Sequence, residues 1–207
     1  MRPGTPDVRP PSAGMSIPLG VWLLGRGRGQ GMNCFGTGSQ AVLSALAPTL
    51  AVSLIGLIMA FLLPSGQHKM GFTRALVPLV CTLIQLVVSE VYARHLGRQG
   101  LWTRYATASL WCGWLPLMLM IVVQGVLKLV FPGLADSAAS LSGVALGIQC
   151  YSLWLTWYVT RVGLAVTSLQ AVIMTVLQTV VVSGVLVLLW ILPPHYNALV
   201  DMFGPGF

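Results

Sequence analysis

The feature that most constrains this chain is a set of five apolar stretches, 41–63, 75–93, 105–127, 141–160 and 169–192, each about 20 residues long and nearly free of charge. At ~1.5 Å per residue, such a stretch in a helix covers the ~30 Å hydrocarbon core of a bilayer. Backbone polar groups in hydrocarbon must pair within their own segment, which leaves the helix as the open-ended solution. Strands of a membrane barrel would alternate polar and apolar residues, and these stretches do not. Composition agrees: 56% of the residues are hydrophobic and 7% charged, against roughly 25% charged in a soluble domain. The expected fold class is therefore all-α, a polytopic membrane protein with a bundle of five transmembrane helices over 41–192, joined by connections too short to hold a soluble domain.

The flanks differ from the bundle. Residues 1–40 are rich in glycine and proline, with Arg26 and Arg28 set among Gly25, Gly27, Gly29 and Gly31. A stretch of this composition is expected to be disordered. Ile17 to Leu24 is apolar but too short to span, which leaves a short interfacial anchor as the other reading. It has no small-residue cleavage site at a sensible distance, so a signal peptide is not expected. Met15 and Met32 are alternative starts. Residues 193–207 form a short tail opened by Pro193-Pro194, which end the fifth helix.

The net charge of +7 reflects scarce acids (Asp7, Glu90, Asp136 and Asp201) more than abundant bases, so it does not point to nucleic acid. With five spans, Arg2, Arg9, Arg26, Arg28, Arg94, Arg98, Arg104 and Arg161 share one side, and Lys69, Arg74 and Lys128 the other. The positive-inside rule then predicts a cytoplasmic N-terminus and an outer C-terminus. Tyr92, Trp102, Tyr105, Trp154, Trp157 and Tyr158 would mark the inner interface, and Trp190 and Tyr196 the outer one.

Few residues could carry chemistry. Glu90 lies near the inner end of the second helix, with Arg94 four residues on and Arg161 as a further partner, which suggests an interfacial ion pair. Gln85, Gln149 and Gln178 fall near the middles of their helices, and Gln124 in the outer half of the third. Amides in hydrocarbon should turn inward and bond across helices, so the three central glutamines are candidates for one buried polar network or for the lining of a path. Gly143 and Gly147, preceded by Ala139, form a small-residue stripe for helix packing, as do Ala171, Thr175, Thr179 and Ser183. That packing is either within the bundle or between subunits. Pro116, after Gly113, should kink the third helix beside Trp111 and Trp114, so Trp114 and Pro116 mark a hinge or pocket. Pro48 and Pro78 sit nearer helix starts.

No catalytic signature stands out. The sequence has no phosphate-binding glycine loop, no His-Glu-x-x-His and no Gly-x-Ser-x-Gly. His68 and His95 are in loops and His195 is in the tail. Cys34, Cys81, Cys112 and Cys150 have neither zinc nor redox spacing, so no cofactor or metal is expected.

The hairpin Leu96-Gly97-Arg98-Gln99-Gly100-Leu101-Trp102-Thr103-Arg104, followed by a helix with Pro116, is similar to a hairpin of Yip1-family membrane proteins. Tyr151-Ser152-Leu153-Trp154, then Gly163-Leu164, then Ser168-Leu169-Gln170-Ala171, resembles that family's last hairpin. The resemblance covers about residues 75–190. It implies five spans, a cytoplasmic N-terminus and a short outer tail. Eukaryotic members are implicated in membrane traffic and carry an acidic, aromatic-rich segment before the first helix. This chain lacks that segment and looks closer to the bacterial members. The expectation is a non-enzymatic, Yip1-like integral membrane protein of a bacterial inner membrane. It would act through contacts with lipid, a membrane-protein partner or further copies of itself, and its basic inner face would suit anionic headgroups. The alternatives are a small transporter or permease component with a polar path at the midplane, and a channel-like oligomer.

Overall fold

The computed structural model describes residues 13–64, 67–135, 137–192 and 196–197. Among these, all regular structure is helical: α1 (Ala13–Gly25), a 3-10 turn (Gly29–Cys34), α2 (Ser39–Phe61), α3 (His68–His95), α4 (Gln99–Cys112), α5 (Trp114–Val130), α6 (Pro132–Ala135), α7 (Ala138–Gly163) and α8 (Ser168–Ile191). Four segments are long and apolar enough to cross a membrane: α2, α3, α4 continuing into α5, and α8. The fourth apolar stretch also forms a long helix, the 26-residue α7, but it is not among those four and carries Ser140, Ser142, Gln149, Ser152 and Thr156 among its apolar residues.

The glycine-rich segment corrects the expectation of disorder. From Ala13 onward it is folded into the bundle, and Leu24, Met32 and Phe35 belong to the main hydrophobic core with Ala93, Tyr105, Leu155, Val159, Leu164 and Met174. Glycine here is what lets chain meet chain. A Cβ at Gly31 would fall 2.6 Å from the carbonyl oxygen of Gly20, so only glycine lets the 3-10 turn lie against α1. Residues 1–12, and most of the 193–207 tail with its Pro193-Pro194, lie outside the described residues.

Three chain reversals gather at this end of the bundle, and each begins with a residue in the left-handed region. Gly27 (φ 73°) and Gly97 (φ 68°) follow α1 and α3. In each, the next amide reaches back five residues, Arg28 N to Leu23 O and Arg98 N to Ala93 O, which pairs carbonyls that a helix end would leave bare. The third reversal uses Ala165 at φ 50° after α7. α8 then starts with a capping box of Thr167 and Gln170.

Tyrosine and tryptophan side chains tie this end together. The Tyr151 and Tyr158 hydroxyls donate to the carbonyls of Gly25 and Gly27, with the Trp154 ring stacked between them. Tyr92 donates to Gln170 O and Trp157 to Ser168 O.

At the far end the helices diverge. The α2–α3 pair stays close because Gly56 meets Ala75 and Gly71 meets Ala60. By contrast, α5 has no buried residue. Gly143 and Gly147, expected to mark helix packing within the bundle or between subunits, make no close approach inside this chain: a Cβ at either would meet nothing within 4 Å.

Two substitutions test this account in opposite directions. Gly31→Ala should lower stability by about 1–3 kcal/mol through overpacking against a backbone oxygen. Ala165→Gly should raise it by about 1 kcal/mol by relieving a left-handed alanine. Thermal unfolding in mild detergent reads both.

Candidate functional site

Where the helices begin to part, they enclose a cavity of about 460 Å³. Its shape follows from one residue. Pro116 has no N–H to pair with the carbonyl of Cys112, and its ring crowds that carbonyl. The helix accordingly ends at Cys112 and resumes at Trp114. Beyond the break α5 packs on α6 and α7. Cys112, Gly113, Trp114 and Pro116 all line the resulting space, so the expected kink and pocket coincide.

The lining mixes apolar side chains such as Val52, Leu86, Leu117 and Leu155 with polar ones, none of them charged, drawn from five helices. From α2 come Thr49 and Ser53, from α3 Thr82, Gln85 and Ser89, from α4 Tyr105 and Ser109, from α7 Ser152 and Thr156, and from α8 Gln178. Residues three, four and seven apart share a helix face, so α3 in particular presents one continuous polar stripe. Several hydroxyls spend their proton on their own helix. Thr82 donates to Pro78 O at 2.8 Å and Thr156 to Ser152 O at 2.9 Å. Their oxygens remain acceptors.

At the tightly packed end the cavity is closed by Tyr105, which is 1% exposed. Its hydroxyl oxygen receives Thr160 Oγ1 at 3.4 Å and Gln178 Nε2 at 3.5 Å. Gln178 Nε2 also reaches the backbone oxygen of Gln85 at 3.4 Å. These contacts are long for hydrogen bonds. Gln178 is 6% exposed, so its amide sits nearly buried at the cavity wall. Close by, Trp102 donates to Ser89 Oγ at 2.9 Å, and Ser89 in turn to Leu86 O.

The sequence-expected residues are divided by this geometry. Gln85 and Gln178 are brought together, through the Gln85 backbone. Gln149 is not, which corrects the expectation of a three-glutamine network. By spacing it shares a face of α7 with Ser152 and Thr156, but it is exposed and does not line the cavity. Gln124 has both side-chain polar atoms buried and unpaired. Glu90 and Arg94 form the expected pair at 3.0 Å, exposed and outside the cavity. Arg161 does not join them; its guanidinium lies over the Trp157 ring at 5.7 Å. The hydroxyls of Ser53, Thr82, Ser109 and Thr156 escape a reading confined to acids, amides and small-residue stripes. Their signal was the i, i+3, i+7 spacing of Thr82, Gln85 and Ser89.

No charged group lines the cavity, and no cluster of His, Cys, Asp or Glu among the described residues could hold a metal. Cys112 has no base in the cavity lining to activate it. The arrangement offers hydroxyl donors and acceptors, one amide and an aromatic wall, which suits binding of a neutral polar molecule. Small-molecule pockets fall in this size range. No protein-family model, curated protein or solved structure matches this chain.

Removing the Tyr105 oxygen takes the acceptor from Thr160 Oγ1 and one of two acceptors from Gln178 Nε2, which keeps the Gln85 backbone oxygen. Tyr105→Phe should therefore destabilise the protein by about 1–2 kcal/mol, read as a lowered unfolding temperature in detergent. Gln149→Leu, which removes an amide without neighbours, should cost nothing measurable there.

Proposed function

We propose that this chain is a five-span integral membrane protein that carries a small, uncharged, hydroxyl- or amide-bearing solute through its central cavity, without catalysis. The observation that carries the reading is the set of uncharged polar side chains gathered from α2, α3, α4, α7 and α8 around the partly open cavity. Polar groups at such depth are costly in lipid unless they face each other or water. Gln149 continues the same polar face toward the far end, as a path would require.

The fifth span in this reading is α7. Its 26 residues extend about 39 Å at the helical rise, and it packs against α4, α5 and α8. The end bearing Arg26, Arg28, Arg94, Arg98, Arg104 and Arg161 would face the cytoplasm. The hairpin resemblance to bacterial Yip1-like proteins supports a bacterial inner membrane. A second reading, a Yip1-like protein working through lipid or protein contacts, draws on those hairpins and on the unpartnered face at Gly143 and Gly147.

Thiol labelling in membranes separates the two. Cys34, Cys81, Cys112 and Cys150 are first replaced by alanine. In that background, cysteines at Ser53, Thr82 and Ser109 should react with a small charged methanethiosulfonate reagent. A cysteine at Val180, which is 60% exposed on the bundle surface at the middle of the 169–192 stretch, should not. Silence at all three cavity positions would mean a dry, merely packed space and would sink the carrier reading. Reporters fused at the two termini should lie on opposite sides of the membrane; the same side would mean that α7 does not cross.

A further inference from the structure

A second concavity, a groove of about 260 Å³, lies between α1 and the α4–α5 break. Ile17, Val21 and Trp22 form one wall and Trp111, Trp114 and Met118 the other, with almost no polar surface. The Arg26 guanidinium stacks 4.1 Å above the Trp22 ring, which sets a cation beside this apolar slot. The left-handed turn at Gly27 holds Arg26 in place and brings exposed Arg28 close behind it in the chain.

Among the described residues, neither arginine has a carboxylate partner. The one acid among the described residues, Glu90, is paired with Arg94. An apolar slot walled by indoles, with an unpaired guanidinium next to it, has the chemistry of one particular membrane component. Tryptophan prefers the headgroup boundary. A guanidinium fork matches phosphate oxygens two at a time. A choline headgroup would bring its quaternary ammonium toward Arg26 and Arg28, so like charge disfavours a zwitterionic lipid of that kind.

We propose that this groove is a binding site for an anionic phospholipid, with an acyl chain against Trp22, Trp111 and Trp114 and the phosphate on Arg26. The site is separate from the central cavity and stands whether or not that cavity carries a solute.

Native mass spectrometry of the full chain in mild detergent, titrated with dioleoylphosphatidylglycerol, tests it. One lipid per chain should bind, at least about fivefold more tightly than dioleoylphosphatidylcholine. Arg26→Gln should weaken phosphatidylglycerol binding roughly fivefold. Arg98→Gln, at the same end but not among the groove residues, should leave it unchanged. Met118→Trp should reduce binding of the lipid by filling the slot with no change of charge. Equal binding of the two lipids would overturn the proposal, because the groove would then take any acyl chain. Equal loss in Arg98→Gln and Arg26→Gln would overturn it too, since the attraction would then belong to the basic surface as a whole. So would glycerol 3-phosphate competing as well as the lipid, which would leave the groove without a role.

Discussion

Four segments of this protein are long and apolar enough to cross a membrane, and in hydrocarbon a backbone N–H or C=O must find its partner within the protein. The ends and breaks of the helices are where that constraint is met by other means. At one end of the bundle, turns at Gly27 and Gly97 fold amides back onto exposed carbonyls, and Thr167 and Gln170 cap α8. Tyr151 and Tyr158 supply hydroxyls to the carbonyls of the glycine-rich segment. Pro48 and Pro78 each remove one bond from a helix that continues, whereas beside Pro116 the helix is interrupted, and the cavity opens there.

The bundle is consequently asymmetric. One end is knotted by left-handed turns, aromatic hydrogen bonds and a close-packed core around Tyr105. The other holds together in pairs of helices. A structure fixed at one end and open at the other has a natural place for a cavity at the transition, and the polar stripes of α2, α3, α4, α7 and α8 meet there. Tyr105 belongs to both regions: its ring is packed in the core, and its hydroxyl receives Gln178 and Thr160 at the cavity's closed end.

The absence of charge in the cavity lining narrows its chemistry as much as the presence of hydroxyls does. A neutral guest exchanges its bonds to water for bonds to serine, threonine, glutamine and tyrosine at little electrostatic cost. An ion would meet no counter-charge among these residues and would pay its full desolvation. The charges of the described residues lie elsewhere, above all in the arginines of the knotted end, where anionic headgroups are the complementary surface.

The sequence by itself determined the long apolar helices. Runs of about 20 apolar residues can satisfy their backbones in lipid only as helices, and Pro116 had to disturb its own. The Glu90–Arg94 pair was legible for the same local reason, since four residues is one helical turn. Tertiary structure decided what depends on partners distant in the chain. Glycines at 25, 27, 29 and 31 read locally as disorder, yet Gly31 is needed because α1 passes within reach of it. Gly143 and Gly147 read as packing residues, yet the close contacts formed at Gly56 and Gly71, because proximity is set by where α2 and α3 meet. Gln178 became buried and Gln149 exposed although both are mid-helix amides, because Gln178 meets Tyr105 and the Gln85 backbone. Spacing shows which residues share a face; only the packed bundle shows what that face meets.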